Sequence, residues 1–165
     1  MPAFTRILSI LALLGFIALP TIPHARAAET DPAILAAVDA AIAAINSGSV
    51  ADAKAAFAEA PAAITDDFPP FLWSGKTAVE DYSRDLKAIL SKYNITDWRF
   101  QRHQPRYLQA TEDRAWLVVP ASFPFLLGGK TQSVSADWIF VLGKIEGKWR
   151  VEVSAFGDTH HTLLP

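Results

Sequence analysis

Near Asn94 the spacing of apolar residues changes from the 3.6-residue period of a helix to the two-residue period of a strand, and it does not change back. Helical segments therefore come first and consecutive strands follow. That order predicts an α+β fold in which N-terminal helices pack on one face of a mainly antiparallel sheet. Upstream of the switch, Asp31 with Pro32 behind it reads as an N-cap followed by the first helical residue. Ile34, Leu35, Val38, Ile42 and Ile45 then form one stripe, which Asn46-Ser47-Gly48 ends. A shorter helix is capped by Ser49, runs through Phe57 and stops before Pro61. A third, with Thr77 and Glu80 as a capping box, aligns Val79, Tyr82, Leu86, Ile89, Leu90 and Tyr93. Downstream, strands are predicted over 95–110 (one long or two collinear, kinked at Pro105), 114–127, 131–142 and 149–156. Gly128-Gly129 makes a tight hairpin, 143–147 a turn, and Pro120 and Pro124 mark an edge or bulges.

Residues 1–27 read as a secretory signal peptide. Arg6 precedes a thirteen-residue apolar run, Pro20 and Pro23 break it, and Ala25 and Ala27 supply the small residues of a cleavage site. Removing 27 of 165 residues leaves 138, read as a single domain over 28–165. Arg6 and Arg26 leave with the signal, so 13 basic and 17 acidic residues remain, a net charge of −4. That balance argues against a nucleic-acid partner. The chain has no Cys, which excludes disulfides, thiolate metal sites and a cysteine nucleophile. The expected location is exported, periplasmic or secreted, with no membrane association after cleavage.

The sequence carries no phosphate-cradling glycine loop, G-x-S-x-G or EF-hand, so no cofactor is expected. His160 and His161 follow Asp158, but adjacent histidines on an extended tail diverge, and no metal site is expected. His103 and Asp137 could form an acid–base pair. Strand parity instead puts them with Arg99, Gln101, Arg150 and Glu152 on an outer sheet face, opposite Trp149, Val151 and Val153.

Four segments in order resemble the SnoaL-like branch of the nuclear transport factor 2-like superfamily over about residues 31–158. They are Thr65-Asp66-Asp67-Phe68, then Trp73-Ser74-Gly75-Lys76-Thr77-Ala78-Val79, then Glu112-Asp113-Arg114-Ala115-Trp116-Leu117-Val118, and finally Glu146-Gly147-Lys148-Trp149-Arg150-Val151. The resemblance implies a cone in which three helices enclose a strongly curved sheet, with an apolar pocket between. It also implies a possible homodimer through the outer sheet face, and a catalytic carboxylate near the pocket mouth in the related enzymes.

Within that frame Asp66, Asp67 and Tyr82 are the candidate catalytic residues, and Phe68, Trp73, Tyr82, Trp98 and Phe100 the candidate ligand-binding residues. Strand alternation allows at most one of Asp66 and Asp67 to face inward, and a solvated turn is the commoner setting of such a pair. Tyr82 lies on the apolar stripe, where it either fills the core or donates a hydrogen bond to a reacting oxygen. Three functions are compatible with this pattern. The first is an exported module binding a small apolar or amphipathic ligand. The second is a proton-transfer enzyme (isomerase, dehydratase or cyclase) using a pocket Asp. The third is a dimeric interaction module working through Trp116 and the outer face.

Overall fold

A computed structural model describes residues 31–59 and 63–159. The signal peptide read over 1–27 and the paired His160 and His161 lie outside the described residues. Helix α1 (Pro32–Ser47) starts at Asp31, whose side chain accepts from the Ala33 N–H at 2.9 Å, and ends at Gly48, where φ is +68°. Its stripe is buried apart from half-buried Leu35, with Ile34 and Val38 fully so. Helix α2 (Val50–Ala56) is capped by Ser49, whose Oγ accepts from the Asp52 N–H at 3.2 Å. Strands β1 (Ala63–Thr65) and β2 (Leu72–Ser74) form a short hairpin before helix α3 (Ala78–Lys92).

The capping box predicted at Thr77 and Glu80 does not form. Thr77 makes no side-chain cap bond, and Glu80 pairs instead with Lys54 of α2 at 2.8 Å, so the acid joins two helices rather than closing one.

After α3 come β3 (Ile95–Thr96), β4 (Gln101–Arg102), β5 (Tyr107–Ala110), β6 (Arg114–Leu127), β7 (Lys130–Ile145) and β8 (Lys148–Asp158). Among the described residues the strands form one sheet of eight in the order β2-β1-β8-β7-β6-β3, with β4 and β5 also on β6. Only β1–β8 is parallel among these pairs. The sheet curls strongly into a half-barrel with the three helices packed on it. Two-residue turns with positive φ at both positions, Gly128-Gly129 and Glu146-Gly147, join the three long strands, matching their right-handed twist. The second turn is thus shorter than the 143–147 segment predicted, and β7 and β8 run longer.

The predicted long strand over 95–110 is three pieces, and its partner explains the breaks. On β6, Pro124 faces Arg99 and Pro120 faces His103; each proline carbonyl accepts from that residue, at 3.2 and 2.8 Å, but neither has an N–H to return. The register confirms bulging at both places. Between Thr96↔Leu126 and Gln101↔Ser122 the edge gains one residue on β6, and between Arg102↔Ala121 and Tyr107↔Val118 it gains two.

A second irregularity lies between β7 and β8. Val141 faces Val153 while Leu142 faces Val151, leaving Glu152 as the extra residue. Parity reverses there. Trp149 and Val151 point inward as predicted, but Val153 turns outward, and Ser154 and Phe156 take the inner positions. Ser154 is buried because it accepts the Trp138 indole N–H at 2.8 Å. On the outer face Glu152 pairs with Arg114 across Gly143; a Cβ at Gly143 would collide with Glu152 Oε1, so the missing side chain makes room for the ion pair.

The core sits between the inner sheet face and the helices. Leu117, Val119, Trp138, Phe140, Leu142 and Val151 meet Ile34, Val38 and Phe57 there, all almost completely buried. No helix among the described residues is long and apolar enough to cross a membrane.

Candidate functional site

A cavity of about 80 Å³ remains between α3 and the far end of the sheet. Leu86, Ile89 and Leu90 of α3 form one wall, with Ile95 and Val134 beside them. Five phenylalanines, Phe68, Phe100, Phe123, Phe125 and Phe156, supply most of the rest. Among the described residues the only polar ones lining it are carboxylic acids: Asp66, Asp67 and Asp158.

Asp66 is brought there by the β1–β2 hairpin. Strand β1 ends at Thr65, and the connecting loop closes with Phe71 N–H donating to the Phe68 carbonyl at 2.9 Å around the cis Pro69–Pro70 bond. Phe68 is folded inward, while Phe71 and Leu72 are exposed. Because the strand has ended, alternation no longer governs Asp66 and Asp67. Both border the cavity, where parity had allowed one. Nor is Asp66 in a solvated turn: it is 8% exposed.

Each Asp66 oxygen has a partner. Oδ1 accepts from the Asp67 N–H and Oδ2 from the Tyr82 hydroxyl, both at 2.8 Å. Burial pushes the carboxyl up to about 7. The two hydrogen bonds oppose that rise and the neighbouring Asp67 carboxylate adds to it. Tyr82 is shifted well above the ordinary tyrosine value, by burial first and by the Asp66 charge second, so its hydroxyl stays protonated and donates. Behind Tyr82, Trp73 packs edge-on with ring centroids 5.1 Å apart, and its indole N–H donates to Asp85 Oδ2 on α3 at 2.9 Å. The Trp73–Asp85 bond fixes the ring that supports Tyr82, and Tyr82 in turn orients Asp66.

The candidate residues thus divide. Asp66, Asp67, Phe68 and Phe100 meet at one cavity. Tyr82 and Trp73 stand behind Asp66 and do not line it. Trp98 borders a separate cleft of about 460 Å³ between the end of α1 and α3. Its ring does reach Phe100 and Phe123, at 6.1 and 6.0 Å. His103 and Asp137 do not pair. Asp137 instead binds Arg106 at 3.0 Å, and His103 is exposed. Among the described residues no group of three His, Cys, Asp or Glu is arranged to hold a metal.

Sequence reasoning missed Phe123, Phe125, Phe156 and Asp158. The inward parity of β6 pointed to the first two, whereas the Glu152 bulge hid Phe156. It also missed Asn46, which clamps the irregular segment before β4. The Asn46 amide donates to the Phe100 carbonyl at 2.9 Å and its Oδ1 accepts the Phe100 N–H at 2.7 Å.

Helices laid across a half-barrel sheet, with a small apolar hollow and one buried carboxyl between them, define the cone-shaped α+β class. A SnoaL-like domain model matches residues 34–155, and the chain belongs to that family, within the nuclear transport factor 2-like superfamily. Among solved structures it is similar to a Nostoc punctiforme protein of unknown function with a cystatin-like fold, at 18% identity and a TM-score of 0.61, covering 81% of this chain and 92% of that one. A ketosteroid isomerase-like protein of Erwinia carotovora atroseptica matches at 15% identity and 0.63, covering 81% and 99%. A nuclear transport factor 2-like protein of Salmonella enterica matches at 14% and 0.61, covering 78% and 90%. At these identities the likeness shows the fold. No curated protein matches.

Proposed function

We propose that this SnoaL-like domain binds a small, largely apolar ligand in the phenylalanine-lined cavity, with the ligand's polar atom at the Asp66 carboxyl. The observation that carries this reading is the position of Asp66, a buried acid on a mainly apolar wall and held in place by Tyr82. Apolar sites with few fixed polar groups are the usual form of small-molecule pockets. The volume sets the size of the guest. A cavity of roughly 150 Å³ accepts benzene, so about 80 Å³ encloses a short branched group or part of a small ring, and the rest of the ligand would project through the mouth. NMR titration with phenol or cyclopentanone is expected to shift signals of Phe100, Phe125, Phe156 and Leu86 saturably. Val134→Phe, which plugs the partly open rim, is expected to abolish those shifts with little change in melting temperature. Titrations that move no cavity signal would remove the basis of the proposal.

A second reading is favoured by the Asp66 proton affinity. A carboxyl near 7 in an apolar setting is poised for general acid–base work, as in isomerisation or dehydration. Tyr82 acts there as a positioning residue, because it touches Asp66 and not the cavity. On this reading the protein accelerates exchange of the α-protons of cyclopentanone into D₂O, and Asp66→Asn removes the acceleration while leaving binding in place.

The outer sheet face suits a second copy of the chain. Trp116 is 40% exposed there, beside half-buried Val118, Ile139, Val141 and Val153. Light scattering is expected to give a dimer for the wild type and a monomer for Trp116→Glu; a monomeric wild type rejects this arrangement.

A further inference from the structure

The cavity wall combines two features that together select a class of ligand. The first is aromatic. Phe100 and Phe123 lie 4.7 Å apart at 31°, Phe123 and Phe125 5.2 Å apart at 34°, and Phe156 stands edge-on to Phe100 at 5.2 Å. These rings make a continuous π surface, and the face of an aromatic ring attracts a desolvated cation. The second feature is electrostatic. Asp66 sits in the wall and Asp67 beside it at the rim, close enough for the Asp67 charge to act on the Asp66 carboxyl. Among the described residues Asp67 is exposed and makes no ion pair, and no Lys, Arg or His lines the cavity. A carboxylate or phosphate guest would meet like charge there, and a neutral one would leave the rim acid unused.

We propose that the ligand of this cavity is a small alkylammonium compound, its substituted nitrogen seated among the phenylalanine rings and its charge facing the Asp66–Asp67 pair. The proposal rests on the reading that the cavity binds a ligand, and narrows it to a substrate class. At about 80 Å³ the enclosed space excludes a fused ring system and takes part of a compact methylated ammonium head, the remainder lying in the open mouth. The titratable groups acting on the Asp66 carboxyl are Tyr82 from α3 and Asp67 from its own loop, and Asp158 of β8 lines the same cavity. Loss of the Asp66 proton therefore increases the negative charge presented to the guest.

Choline and 3,3-dimethyl-1-butanol test this directly, because they share a shape and differ in the charged nitrogen. Isothermal titration of the mature protein at pH 8 is expected to show choline binding at least tenfold tighter than the alcohol. The preference is expected to shrink severalfold at pH 5.5, where Asp66 carries its proton. Asp67→Asn, at an exposed position, is expected to fold with an unchanged circular dichroism spectrum and to lose most of the preference. Equal affinity for the two probes, or binding of phenol but of neither probe, overturns the alkylammonium assignment and leaves the apolar-ligand reading standing. No saturable binding of choline, the alcohol or phenol overturns both.

Discussion

Asp66→Asn is expected to make the protein more stable above neutral pH and to flatten its stability profile between pH 4 and 7. In the native state the Asp66 carboxyl is held at about 7, against 3.8 for the free side chain. Between those values the native protein keeps a proton that the unfolded chain has released, so raising the pH favours unfolding. The contribution is complete below about pH 4, falls through the interval, and is gone above 7. A shift from 3.8 to about 7 corresponds to roughly 4 kcal/mol at 1.36 kcal/mol per unit. Asn carries no charge to bury, and its one carbonyl oxygen still accepts from the Tyr82 hydroxyl, at the expense of the bond from the Asp67 N–H. Urea unfolding at pH 8 is therefore expected to place the variant about 2 kcal/mol or more above the wild type, with the two converging near pH 4. Other shifted acids act outside this window. Asp31 is lowered by the Trp149 indole bond, Glu80 by Lys54 and Asp85 by Arg84, so their support is present above their ordinary values and is lost as pH falls through their native ones. Wild-type stability is thus highest on the acid side of neutral. Parallel pH profiles for the two proteins would show that Asp66 is not buried as described. Retaining a charge-bearing group that weakens the fold at neutral pH is the pattern of a site kept for function rather than for stability.

Phe100→Ala is the second large effect. The ring is 4% exposed and packs against Trp98, Phe123, Trp138 and Phe156, so its removal leaves a hole that the stiff aromatic neighbours cannot close. The expected cost is about 3–5 kcal/mol, read as a fall in melting temperature on the order of 10 °C. Asn46→Ala should cost about 1–3 kcal/mol by freeing the Phe100 N–H and carbonyl. The two are coupled, because the Asn46 clamp presses the backbone that carries the ring. The double variant is expected to lose at least about 1 kcal/mol less than the two single losses combined. Strict additivity would mean that Asn46 does not position Phe100.

Much of this architecture is legible in the residues. The change of period at Asn94, the Asp31-Pro32 start and Gly48 end of α1, the Ser49 cap and the Gly128-Gly129 hairpin are local signals with local causes, and each is present as read. What was not legible depends on partners distant in the chain. The edge breaks between β3, β4 and β5 come from Pro120 and Pro124 on β6. The reversal that turns Val153 out and Phe156 in comes from one unmatched residue against β7. Glu80 leaves its cap for Lys54, a residue of another helix. The candidate site shows the same division. Asp66 and Asp67 were found by their chemistry, but their joint placement required knowing that β1 stops one residue before them. Tyr82 was found by helix periodicity, and only the folded packing shows that it faces the acid and not the cavity. Of the cavity phenylalanines on strands, Phe123 and Phe125 follow the plain alternation of β6, whereas the inward register of Phe156 becomes certain only once the β8 bulge is located.

The broken border of the sheet bears on how this protein behaves in crowded company. A long, straight outer strand would leave a row of free amides and carbonyls on which another chain could crystallise as an added strand. Here one border is interrupted twice by the prolines behind it, and the other is the three-residue β2. Among the described residues neither border offers a long template for an added strand, so the same two imino acids that spoil a strand also work against polymerisation.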